Sequence, residues 1–149
     1  MDEERIATLV DDLSGTGSDR EWAAVHELRT LGTELPKFLL KKFRSATSWK
    51  VRNLCVYHSM RYAKISPEAV EVGLLAISDK SKEVRYRGAM LLAYSQRRDV
   101  MSALQDAVGA LSGKSGAEDL IAAFDAIDNG NHHLFVDRKR TGKFKLTIE

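Results

Sequence analysis

Cys55 and His58 stand three residues apart in a segment of helical spacing, a separation that sets a thiol and an imidazole on one helix face. Such a pair works as nucleophile and base only with an exposed thiolate and an oxyanion site, and a helix interior offers neither. His58 therefore reads as a half-buried structural histidine. His26, His132 and His133 have no partner four residues away, and a lone Cys55 furnishes neither a disulfide nor a four-cysteine zinc site. Gly113-Lys114-Ser115 has the look of a phosphate loop, but that motif needs glycine at position 108, where Val108 stands, and a strand before it. Asp11-Asp12 and Glu118-Asp119 sit beside helix ends, where carboxylates cap or face solvent. No catalytic constellation, metal site or cofactor motif emerges, and the expectation is a protein that is not an enzyme.

The elements around these residues come from one chain of 149 residues, 44% apolar and 30% charged, enough for a single domain with a real core. A single cysteine suits a reducing cytoplasm. The N-terminus lacks the basic-then-apolar order of a signal peptide, and no apolar run approaches the ~20 residues that span a bilayer. The expectation is a cytoplasmic protein without a membrane partner. The net charge of +2 hides blocks: residues 1–33 balance at −5, residues 34–98 at +9, residues 99–129 at −5 and residues 130–149 at +3. A basic middle between acidic flanks would steer an acidic protein, a nucleic acid or a phosphate, or it simply solvates helix backs.

Ser66-Pro67-Glu68 reads as an N-cap with proline in the first turn, and Thr33 before Glu34-Leu35-Pro36 is a weaker version. Helical apolar spacing runs through Ile6, Leu9, Val10 and Leu13, through Leu35, Phe38, Leu39 and Phe43, through Val70, Leu74 and Ile77, and through Met101, Leu104, Val108 and Leu111. Four more helical segments lie near 19–32, 48–63, 81–95 and 117–129. The fold class predicted is all-α, eight helices joined by short turns. The helices pair into a repeat. In the second helix of each pair an inward position recurs at +4 and +7: Ala24/Leu28/Leu31, Val51/Cys55/His58, Val84/Gly88/Leu91 and Leu120/Phe124/Ile127. The loops 13–18 and 111–116 rhyme as well.

Asp79-Lys80-Ser81-Lys82-Glu83-Val84-Arg85 with Ala89 and Leu91 resembles the second helix of a HEAT repeat, and Trp49-Lys50-Val51-Arg52 and Trp22-Ala23-Ala24-Val25 resemble diverged copies. The resemblance covers residues 1–129 and implies a short right-handed α-solenoid of about four hairpins, armadillo-like, of the small stand-alone bacterial type. It also implies a scaffold that grips a partner with the concave surface lined by the second helices. Val25 and Ile121 replace the arginine of the Val-Arg signature, so the end repeats read as caps. Residues 130–149 break the pattern. His133 to Asp137 and Lys143 to Ile148 alternate as strands around Lys139 to Gly142, which predicts a C-terminal β-hairpin capping the solenoid or, through Arg138-Lys139-Arg140, touching a partner.

At about 100° per residue, the side of each second helix away from its core stripe carries Trp22, His26 and Arg29 in the first repeat, and Trp49, Asn53, Val56, Tyr57 and Met60 in the second. Tyr86 and Met90 continue it in the third. Aromatic, methionine and arginine side chains together are the composition of an interaction hot spot. Arg52 and Arg85 either edge this face or bridge to acids of neighbouring repeats, Asp79 being nearest. Lys41, Lys42, Arg44 and Lys50 cluster at one inter-helix turn and would suit a phosphate or a carboxylate-rich surface. The expected function is a non-enzymatic module binding a protein partner, an immunity protein neutralising a toxin being the sharpest version, with no small-molecule substrate evident. The alternative is a nucleic-acid-binding module related to HEAT-like DNA glycosylases, which needs a carboxylate in the aromatic cleft; Asp125 and Glu118 come nearest.

Overall fold

The computed structural model describes residues 1–111 and 115–136. Among them are eight α-helices: α1 (Glu3–Asp11), α2 (Asp19–Leu28), α3 (Leu35–Ser45), α4 (Trp49–Ser59), α5 (Pro67–Ala76), α6 (Lys82–Ser95), α7 (Met101–Ala110) and α8 (Ala117–Asp128). No strand occurs among the described residues, so the fold is all-α there. The helix starts follow from side chains that satisfy orphan N–H groups. Ser18, Ser48, Ser66 and Ser81 accept from the N–H groups of Glu21, Lys50, Ala69 and Val84. Pro67 opens α5 as expected. Thr33 does not cap α3: the chain runs through a 3-10 segment, Arg29–Glu34, kinked at Gly32, and α3 begins without a side-chain cap. A glycine at φ +58° supplies the bend, and the cap becomes unnecessary once the preceding turn is already helical.

Each odd helix packs against the even helix that follows it. Odd helices also touch one another, α1 on α3 and α3 on α5, as do even ones, α4 on α6 and α6 on α8. The inward stripes meet in one apolar core running from Ile6 and Leu9 through Leu39, Cys55, Val72 and Leu91 to Leu120 and Ile127. Hairpins of this length cannot enclose their own apolar faces, and stacking supplies the missing cover. Helix α6 lies deepest, held by α4, α5 and α8. Gly88 permits this: a Cβ there would stand 2.6 Å from that of Ala76 and 3.0 Å from the Ile77 nitrogen, so a side chain would push α5 and α6 apart.

The expected first strand at His133 is corrected. Residues 133–136 form a turn of helix, with the Leu134 and Phe135 N–H groups donating to the carbonyls of Asn131 and His132. Three adjacent apolar residues, Leu134 to Val136, do not separate strand from helix by periodicity. A helical turn lets Phe135 bury fully against the Tyr86 ring, 5.6 Å between centroids, with Leu134 packed beside the core. The expected turn from Lys139 to Gly142 and the second strand, Lys143 to Ile148, lie outside the described residues.

Candidate functional site

The two ends of the even helices differ in chemistry. At their N-terminal ends, the turn from each odd helix holds a charged side chain that is buried or half-buried. Glu21 accepts from the N–H groups of Gly15 and Gly17 and from the Ser14 hydroxyl. Arg52 donates through Nη1 to the carbonyls of Ala46 and Thr47, both at 3.1 Å, and forks onto the Asp79 carboxylate at 2.8 and 3.2 Å. Arg85 repeats the local part, donating to the carbonyls of Asp79 and Lys80 and, across the next repeat, to that of Ser115. Gly116, at φ +101°, opens α8 beside it, where a Cβ would crowd the Arg85 guanidinium at 3.3 Å. Asp119, three residues past Gly116 as Glu21 is past Ser18, is buried too.

These contacts correct part of the sequence-based site. Of the two outcomes expected for Arg52, the bridge to Asp79 is the one found, so Arg52 is buried in an ion pair and does not belong to an open basic patch. Lys42 and Arg44 pair with Asp11 at 3.4 Å and Glu71 at 2.6 Å, which leaves exposed Lys41 and Lys50 as what remains of the basic cluster at that turn. Val56 is corrected as well. It is 0% exposed, because α4 is enclosed by α3, α5 and α6 and has no wholly open side.

The rest of the even-helix face divides in two. Trp22, Trp49 and Tyr57 are 60%, 40% and 48% exposed, so α2 and α4 hold large aromatic surface in water. Asn53 and Met60 are half-buried, and the Asn53 Oδ1 is buried without a partner among the described residues. Tyr86 and Met90, on α6, are also half-buried, and the terminal turn covers Tyr86 through Phe135.

At the C-terminal ends of α2, α4 and α6 the structure forms a cleft of about 270 Å³ lined by Arg29, Tyr57, His58, Met60, Arg61 and Tyr94. Arg87 lies over the Tyr57 ring at 5.1 Å and Lys64 over the Tyr94 ring at 5.2 Å. No carboxylate lines this cleft among the described residues, and Asp125 and Glu118 are not part of its wall. Arg61, Lys64, Arg87 and Tyr94 were missed in the sequence-based face. The signal was one more step of four residues: Tyr57 leads to Arg61, and Met90 to Tyr94.

Comparison with known proteins finds no match. No family model, no curated protein and no solved structure is similar enough to place the chain.

Cys55 is fully buried and burial pushes its thiol up to about 12, opposed by the Lys42 charge, the reverse of what a nucleophile requires. Its neighbour His58 stands edge-on to Tyr57, ring centroids 5.1 Å apart. Among the described residues no group of three or more His, Cys, Asp or Glu is placed to hold a metal ion, and no helix is long and apolar enough to cross a membrane. Burial first, then the Arg29 charge and, more weakly, Arg61, hold the His58 imidazole down at about 4, with Glu21 pulling the other way. The unfolded chain takes up this proton near its ordinary value of 6.5 and the folded chain does not, so the native state loses stability as pH falls from 6.5 to 4. His58→Leu should hold or raise stability at pH 7, since Leu91 and Ile127 fill the equivalent places buried, and should remove ~2 kcal/mol of this acid sensitivity. Urea unfolding at pH 7 and pH 4.5 checks both halves.

Proposed function

We propose that the chain is a HEAT-like α-solenoid of four hairpins that acts as a non-catalytic binding module. It engages a protein partner through the face formed by its even helices. The observation that carries this reading is the exposed aromatic set Trp22, Trp49 and Tyr57 on α2 and α4. Large aromatic side chains left open on one set of helices mark an interaction site, and tryptophan and tyrosine carry much of the binding energy at such sites. The shared hydrogen-bond pattern of Arg52 and Arg85, each onto the carbonyls five and six residues back, supports a true structural repeat. Immunity against a toxin is the specific version, in which the face covers the toxin's working surface.

Trp49→Ala tests the reading. It should weaken binding of a captured partner by about 2 kcal/mol or more, roughly thirtyfold, while changing folding stability by much less. The partner is first recovered with the wild-type chain, then titrated against wild type and variant by calorimetry, with thermal unfolding in parallel. A melting loss of the size seen for core tryptophans, with binding intact, would sink the proposal.

A further inference from the structure

Four cations, Arg29, Arg61, Arg87 and Lys64, gather around the cleft at the C-terminal ends of α2, α4 and α6. None of them pairs with a carboxylate among the described residues, although Arg5, Arg20, Lys37, Lys42, Arg44, Arg52, Arg97 and Arg98 all do elsewhere. Compensation of helix dipoles accounts for cations at helix C-termini but not for Arg87, which lies in the body of α6. Four like charges in one place repel one another, a cost that no carboxylate offsets among the described residues. Tyr57 and Tyr94 hold two of the cations against their faces without neutralising them. The guanidinium of Arg87 and the ammonium of Lys64 are thereby positioned before any ligand arrives.

We infer that this cleft takes a carboxylate side chain from an acidic segment of the protein partner, with Arg29 and Arg61 supplying the hydrogen-bonding forks and Tyr57 and Tyr94 the walls. The inference rests on the protein-binding reading of the even-helix face and names the chemistry of its partner. A volume of about 270 Å³ suits one or two side chains. A nucleic-acid track would need a run of free cations continuing away from the cleft. At the opposite helix ends Lys42, Arg44 and Arg52 are paired with acids, which leaves Lys41 and Lys50 there, and the octathymidylate arm of the test decides between the two ligands. Guanidinium and carboxylate match geometrically as a bidentate pair, which makes arginine the fitting donor here.

The test uses the full chain, a fluorescein-labelled octaglutamate peptide and a labelled single-stranded octathymidylate, read by anisotropy at low and moderate salt. Octaglutamate should bind in a salt-sensitive manner. Arg61→Glu and Arg29→Glu should each weaken it at least tenfold, and Lys80→Glu, the same charge change at an exposed residue away from the cleft, should not. Arg29→Gln and Arg61→Gln serve where reversal disturbs folding, judged by circular dichroism, and should weaken binding in the same order. No octaglutamate binding, equal loss in Lys80→Glu, or tighter binding of octathymidylate that Arg61→Glu abolishes would overturn the inference. The two proposals fail separately. Loss of the captured partner in Trp49→Ala with octaglutamate binding indifferent to Arg61 leaves the face and removes the cleft. The reverse pattern leaves the cleft and removes the face.

Discussion

Asp79→Ala should lower the free energy of unfolding by about 3–5 kcal/mol, the largest effect expected of any polar substitution in the protein. Arg52 and Asp79 are both buried, and the guanidinium spends two of its bonds on the carboxylate. Removing the carboxylate leaves a buried cation with only the Ala46 and Thr47 carbonyls to hold it. It also removes the acceptor for the Ser81 N–H at the start of α6, at 2.9 Å. The loss therefore reaches from α4 into the next repeat. Arg52→Leu combined with Asp79→Ala should recover part of the stability, because the uncompensated charge is then gone and an apolar side chain fills its place. Urea unfolding of the two single variants and the double variant measures the coupling. Arg44 and Glu71 make a single-contact pair on the surface, and Arg44→Ala should change stability by less than about 1 kcal/mol. If Asp79→Ala is as mild as Arg44→Ala, the seam between repeats is solvated and the pair is not structural.

Phe135→Ala should cost about 3–5 kcal/mol, the range for truncating a buried phenylalanine. Phe135 is almost completely buried although it lies in a single turn of helix beyond α8. Its ring contact with Tyr86 attaches that turn to the deepest helix of the fold, and His132 stacks on Tyr94 nearby, 4.8 Å between centroids. Truncation should therefore uncover the α6 part of the even-helix face as well as lower the melting temperature. Thermal unfolding with near-ultraviolet circular dichroism reports both events. A loss below about 1 kcal/mol with an unchanged aromatic spectrum would mean that the terminal turn does not dock through Phe135.

Much of the helical architecture was legible because its causes are local. The Ser66 cap, the proline of α5 and the i, i+4 stripes need no distant residue to act. The pairing of each odd helix with the even helix after it was legible for the same reason, since each must bury an apolar stripe against a near neighbour. Trp22, Trp49 and Tyr57 were placed correctly as open because their helices expose that side. Val56 was misplaced because a helix held by three neighbours has no wholly free side, and periodicity describes one buried face at a time. The turn at residues 133–136 was misread because a short apolar run obeys whichever conformation finds a surface to bury it, and Tyr86 is far away in sequence.

The sequence by itself determined, over the described residues, an all-α chain, the number and boundaries of its helices to within a few residues, and Cys55 on the core side of its helix. Each follows from propensity, capping and apolar spacing, which act over a few residues. Tertiary structure alone decided which arginines are free. For Arg52 the sequence left two outcomes open, an exposed edge or a bridge to Asp79, and the structure has the bridge, while Arg61, nine residues on, opens into the cleft. The physical reason is that a charge is neutralised by whatever the fold brings within about 4 Å of it. Stacking the hairpins brought Asp79 to Arg52 and brought other cations to Arg61.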